Sequence, residues 1–346
     1  MRAMSRVTRA SAALACAIAL VGAVSANSSA TAKSKTIAPR AKVVAKFPIP
    51  GGTGGLATGE GAVWSLNWSD WTLMRIDPHR NAVTARIMVK PTNPCPPSPD
   101  TCGQVAAGNG AAWVSLRTDN AVARIDPQSN KMTAMIPVGK EPDGIATSPG
   151  AVWVANRGSA ASGGPSVSRI DPATNQVVAT ISVGPAIACC SPHMAVTAAV
   201  GSVWVTVPNS YALVRIDQAT NAVTATIRMD DQPCAGVAVS KDAVWVASGH
   251  CAKVVTRIDP LTNMPAGKVD GSASPINVGL AFGSLWVTDI DSATVERVDP
   301  RTRRIIGSLP VGKSGVPVWL AIGFGSIWVR NEGDTTGRVL RIAPRR

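Results

Sequence analysis

A five-residue phrase, G-x-V-W-V, returns seven times along the chain. The copies GAVWS, GAAWV, GAVWV, GSVWV, DAVWV, GSLWV and GSIWV carry Trp64, Trp113, Trp153, Trp204, Trp245, Trp286 and Trp328. The intervals between these tryptophans are 49, 40, 51, 41, 41 and 42 residues. A fixed interval of this size marks a repeat architecture, in which one unit cannot bury its apolar face without its neighbours.

Each tryptophan is followed by a second phrase. Its fullest copy is SRIDPATNQVVATISVG, residues 168–184, and the others include RIDPHRNAVTARIMV, RIDPQSNKMTAMIPVG, RIDQATNAVTATIRM, RIDPLTNMPAGKV and RVDPRTRRIIGSLPVG. Val, Ile and Thr alternate with small residues, as strands require. In the fullest unit, four runs have this character: Gly144–Thr147, Ala151–Ala155, Ser166–Ile170 and Val177–Val183. The last two are joined by Asp171-Pro172-Ala173-Thr174-Asn175. There Asp bonds the turn backbone and Pro presets φ, which is hairpin chemistry. No segment keeps a 3.6-residue apolar period. Seven units of four strands predict an all-β chain folded as a seven-bladed β-propeller.

Closure is also legible. The last unit stops at RVLRIAPRR with three strands, and AKVVAKFPIP, residues 41–50, resembles the fourth strand it lacks. The N-terminal strand is expected to complete the last blade and close the ring, leaving no open sheet edge between the ends. The propeller is expected over residues 40–346.

Ahead of it, Arg2, Arg6 and Arg9 precede a short apolar run over 11–24, and Val24-Ser25-Ala26 suits signal-peptidase cleavage. Residues 1–26 read as a signal peptide and 27–39 as a flexible segment. The expected location is secreted or periplasmic. No later stretch is long and apolar enough to cross a membrane. Net charge is +13, or about +10 without the three leader arginines, which favours anionic partners. Nucleic acid is excluded, because the basic residues are not arrayed with aromatics in a groove.

At this point the resemblance has residues to stand on. The RIDPATNQVVATISVG and GAVWV units resemble the YVTN-repeat propellers and the related streptogramin-lyase-like propellers of secreted bacterial proteins. The resemblance implies the propeller fold. It also implies ligand binding or lyase chemistry on one face, which in the lyases uses His, Glu and a magnesium ion. Their histidine-containing motif has no counterpart here, so no catalytic residue is carried over.

A residue present in every unit serves the scaffold, so function is sought where the repeat breaks. Counting 11 residues back from each repeated tryptophan gives Thr53, Cys102, Pro142, His193, Cys234, Pro275 and Pro317. Three residues past each tryptophan stand Asn67, Leu116, Asn156, Val207, Ser248, Asp289 and Asn331. Both sets fall on the face formed by the loops between strands four and one and between two and three. That face collects His193, His250, Trp68, Trp71, Trp319, Tyr211, Asp291, Glu332 and Asp334, whereas His79 falls in a turn of the opposite face.

Six cysteines remain beyond the leader: Cys95, Cys102, Cys189, Cys190, Cys234 and Cys251. In an oxidising compartment an even number favours disulfides. Cys95–Cys102 would close one loop, and Cys234–Cys251 would join two loops of one blade. Cys189 and Cys190 would bond each other or neighbouring loops. Metal ligation by His193, Cys234, His250 and Cys251 is an alternative, although no metal-ligand spacing occurs. General acid–base candidates are His193, His250, Asp289 and Glu332. Ligand-binding candidates are Trp68, Trp71, Trp319, Asn156 and Asn331. The expected function is binding of a small molecule or a protein or cell-envelope partner, by a monomer, on this face. The alternative is a lyase or hydrolase at the channel mouth. No cofactor is required by the sequence.

Overall fold

Wherever the repeat predicts strands, strands form. The computed structural model describes residues 41–50, 54–93, 102–185, 193–312, 315–333 and 336–344. Residues 1–26, expected to be a signal peptide, and 27–39 lie outside these residues, as do Cys95, Cys189, Cys190 and Asp334. The described residues form seven four-stranded antiparallel sheets, each taking four consecutive strands except the last. Blades one to six cover residues 56–88, 105–137, 142–182, 196–228, 237–269 and 275–310. The seventh combines Val316–Gly323, Ser326–Glu332 and Thr336–Pro344 with Ala41–Pro50, which is its outermost strand. The innermost strand of each blade contacts those of both neighbours, and the seventh contacts the first. The protein is a closed seven-bladed β-propeller.

Burial changes steadily from axis to rim. Several innermost strands are short and rich in Gly and Ala, such as LATG, VAAG and VTAA. Second strands such as Ala151–Asn156 are buried at every residue. Outer strands alternate exposed with partly buried positions, as in Gln176–Ser182. Small residues are needed near the axis because seven strands converge there. A Cβ on Gly108 would lie 2.5 Å from Thr147 Oγ1. With no Cβ there, Thr147 comes close enough to donate to the Ala107 carbonyl of the preceding blade at 3.1 Å.

The seven repeated tryptophans are at most 1% exposed. Their rings belong to seven apolar clusters, one in each wedge between adjacent blades. The Arg of R-I-D covers the Trp of its own blade at 5.0–5.8 Å in six blades. In five of these blades its guanidinium then reaches the D-x-x-x-N turn of the next blade. Arg124 donates to Asn175 Oδ1 (2.7 Å) and Pro172 O (2.9 Å). Arg75, Arg169, Arg215 and Arg341 make the matching bond to Asn130, Asn221, Asn263 and Asn81. The repeated Asp shapes the turn that receives it. Hydrogen bonds from the Arg80 and His79 amides hold the Asp77 carboxyl below the usual carboxylate range.

Closure uses the same packing. Ala41–Pro50 pairs with Thr336–Pro344 from Ala41↔Pro344 to Pro50↔Thr336. Phe47 is buried against Trp328 with ring centroids 5.9 Å apart, while Val44 faces solvent. Phe47→Ala is therefore expected to cost about 3 kcal/mol in a denaturant titration, in the range for truncating a buried Phe. Val44→Ala is expected to stay within about 0.5 kcal/mol, as surface changes do.

Candidate functional site

The loops that carry the irregular residues converge at one end of the central channel. Asp143 is the second residue of the third blade's inner strand, Pro142–Ser148, and its side chain is fully buried. Arg157, just past the second strand of the same blade, places Nε 2.8 Å from Asp143 Oδ2. His193 arrives from the loop entering the fourth blade and places Nδ1 2.8 Å from Asp143 Oδ1. The Met194 amide donates to Oδ2 at 2.8 Å. Gly144 makes this approach achievable, since a Cβ there would lie 2.5 Å from Met194 O.

Burial acts to raise the Asp143 pKa. The charges of Arg157 and His193 and the bonds from His193 and Met194 outweigh it and hold the carboxyl well below the usual range. An ionised Asp143 accepts, so Nδ1 of His193 carries the hydrogen between them. The other ring nitrogen, on the far side of the imidazole, is left for a further partner.

His193 lines a cavity of about 200 Å³ on the propeller axis. Each of the seven innermost strands, or the loop leading into it, contributes to its wall, including Leu56, Gln104, Ile145, Val196, Val237, Asn277 and Trp319. Trp319 meets His193 edge-on, with centroids 5.2 Å apart and planes at 75°. Gln104 and Trp319 are 6% and 8% exposed, and Gln104 Nε2 and Trp319 Nε1 have no hydrogen-bond partner. An indole N–H is donor-only and costs free energy when buried unpaired. The cavity wall thus presents two unpartnered donors and an oriented imidazole.

The other sequence-predicted residues are distributed differently. All seven positions three past the tryptophans are buried. Asn156 donates to Ser168 Oγ (3.0 Å), and Asn331 donates to the Val311 carbonyl (3.0 Å). Asp289 accepts from the Ala273, Ser274 and Ser292 amides and the Ser292 hydroxyl, so it organises its own loops. Trp71 is buried in the wedge between blades one and two, and Trp68 packs beside it, half-exposed. Glu332 lies 3.5 Å from Arg330 Nε, and burial pushes its carboxyl up to about 7 against the opposing Arg330 charge. Arg330 also crosses to the first blade, donating to Ser65 Oγ (2.9 Å) and Leu66 O (2.6 Å).

Asp291 is exposed and pairs with Lys253, Tyr211 is 45% exposed, and His79 lies in a turn of the opposite face. His250 sits in the short helix Gly249–Ala252. Cys234 and Cys251 form the expected disulfide, which removes both as thiolate ligands beside His193. Cys102 is disulfide-bonded as well. Among the described residues, no three His, Cys, Asp or Glu side chains converge as a metal site would require.

Sequence reasoning passed over Asp143, Arg157, Gln104, Arg330 and Glu296. Counting ten residues back from each tryptophan would have found the first. That frame holds Gly54, Gly103, Asp143, Met194, Ala235, Ile276 and Val318, with one carboxylate among them. No protein-family model and no curated protein matches the chain.

Glu296, on the sixth blade, is 5% exposed and accepts from Ser272 Oγ at 2.5 Å. Burial, with Asp289 adding to it, pushes its carboxyl up to about 7 from an ordinary 4.5, against the Ser272 bond. Between those values the folded chain keeps a proton that the unfolded chain has released. Stability contributed by this group is therefore present at pH 4.5 and lost as pH rises through 7. Glu296→Gln is expected to raise the melting temperature by several degrees at pH 8 and to leave it near the wild-type value at pH 4.5, read by calorimetry.

Proposed function

We propose that the protein is an exported binding propeller that takes a small, acceptor-rich ligand, such as a carboxylate, at the channel mouth. The observation that carries this reading is the pairing of two buried, unpartnered donors with an imidazole on one cavity wall. A ligand with acceptor oxygens would satisfy Gln104 Nε2 and Trp319 Nε1 together and meet the free ring nitrogen of His193. The chain's +13 charge supports an anion in that place. Asp143 is neutralised by Arg157, so its carboxylate does not repel such a ligand. A cavity of about 200 Å³ suits a compact ligand, being below the usual 300–1,000 Å³ of drug-sized sites.

A second reading, lyase or hydrolase chemistry at the same mouth, draws on one specific contact. Asp143 orients the His193 imidazole as a third group orients a catalytic base. The charge of Asp143 is already shared with Arg157, and binding remains the better-supported function.

Titration calorimetry with acetate and succinate at constant ionic strength tests the binding reading. Saturable binding is expected, weakened at least tenfold, or about 1.4 kcal/mol, by His193→Ala. Trp319→Phe, which keeps a ring and removes the N–H, is expected to weaken it similarly. Equal binding by wild type and both variants would refute the assignment.

A further inference from the structure

On the opposite face, the junction between blades five and six departs from the rule that five others follow, although its outer turn is present. At five junctions an Arg reaches the Asn that ends the next blade's D-x-x-x-N turn. Between blades five and six the matching pair is Arg257 and Arg303, because the turn reads Asp299-Pro300-Arg301-Thr302-Arg303. Two guanidinium groups have donors and no acceptor, so this latch cannot form. Arg257 instead donates to the main-chain carbonyl of Asp242 at 2.8 Å. Among the described residues no guanidinium covers Trp245, unlike the other six repeated tryptophans.

The broken latch leaves a cleft of about 790 Å³. Arg257, Arg301 and Arg303 line it with one carboxylate, Asp242, and Trp245, Leu280 and Pro300 form an apolar wall. None of the three arginines makes a salt bridge among the described residues.

Two further features surround Arg303. Its φ is +60°, a left-handed position that the other turns fill with Asn81, Asn130, Asn175, Asn221 and Asn263. A longer side chain without local hydrogen bonding is strained there. In the fifth blade's outer strand, Gly267 stands where four other blades have Ala85, Ala134, Ala179 and Ala225 and the sixth has Gly307. A Cβ on Gly267 would lie 2.8 Å from Arg303 Nε, so the missing methyl seats the Arg303 side chain across the junction. A strained backbone, a lost latch and a neighbouring glycine together hold a guanidinium over an open cleft. Local strain of this kind is retained where the surroundings over-determine it, often at ligand sites.

We propose that this cleft binds a small molecule carrying a tetrahedral oxyanion, a phosphate or sulfate ester. Planar guanidinium forks match such oxygens two at a time. The Leu280 and Pro300 part of the wall takes the organic part of the ester. The cleft volume falls within the 300–1,000 Å³ typical of small-molecule sites. The site is independent of the channel mouth.

The test is titration calorimetry of the full chain with inorganic phosphate, sulfate and phenyl phosphate, at constant ionic strength. Saturable binding is expected, tighter for phenyl phosphate than for inorganic phosphate. The phosphate and sulfate arms identify which oxyanion is preferred. Arg303→Asn rebuilds the latch seen at five junctions, so it is expected to raise the melting temperature and weaken binding at least tenfold. Arg257→Gln is expected to weaken binding similarly. Arg303→Asn leaves carboxylate binding at the channel mouth unchanged, and His193→Ala leaves phenyl phosphate binding unchanged, so failure of one site is distinguishable from failure of the other. Absence of saturable binding for all three probes, or binding equally tight in Arg303→Asn, overturns the proposal.

Discussion

The stack of a tryptophan, an arginine from its own blade and an asparagine from the next ties this ring together at five of its seven junctions. A four-stranded sheet alone leaves both faces wet. Here each sheet loses that surface only by lying against two others, and the tryptophan fills the wedge that radial packing leaves between them. Arg124 shows how one residue serves two blades. Its guanidinium lies 5.2 Å from the Trp113 ring centroid, and one nitrogen reaches both the Asn175 side chain and the Pro172 carbonyl of the next blade. The cation–π contact is worth about 0.5–2 kcal/mol. Its larger effect is geometric, since it sets the angle at which one blade meets the next.

A scaffold that repeats itself so closely makes its exceptions informative. At the channel mouth the exceptions are His193 in a place that three other blades give to proline, and Asp143 in a place otherwise uncharged. On the opposite face the exception is Arg303 in a place otherwise held by asparagine. The two sets differ in electrostatic logic. At the mouth, a buried carboxylate is compensated by the groups around it, and the cavity wall is left with neutral donors. In the cleft, three arginines gather beside a single carboxylate, Asp242, that forms no salt bridge with them.

Most of the architecture was legible in the sequence. Strand positions, the turn chemistry of Asp171 to Asn175, and completion of the last blade by residues 41–50 all follow from short-range rules stated several times over. The Cys234–Cys251 bridge was legible because both residues lie in same-face loops of one blade. The Asp143 cluster was not. Its partners come from 14 and 50 residues away, and only the close approach permitted at Gly144 brings Met194 to the carboxylate. The burial of Asn156, Asp289 and Asn331 was also hidden. Their spacing from the tryptophans gives the correct face but does not say whether they line a loop or plug the space beneath it.

The pairing of Ala41–Pro50 with Thr336–Pro344 joins the two ends of the folded region, nearly 300 residues apart in sequence. Six blades are assembled from consecutive strands and can form in the order the chain is made. The seventh cannot, because its outermost strand is made first and its other three last. Until they meet, Leu56, Val63 and Met74 of the first blade have no seventh blade to cover them. Long-range pairing of this kind is slow to form, since loop-closure entropy must be overcome before the contacts are made. The ring therefore behaves as a clasp: the strand that waits longest for its partner decides when the molecule becomes a single cooperative object.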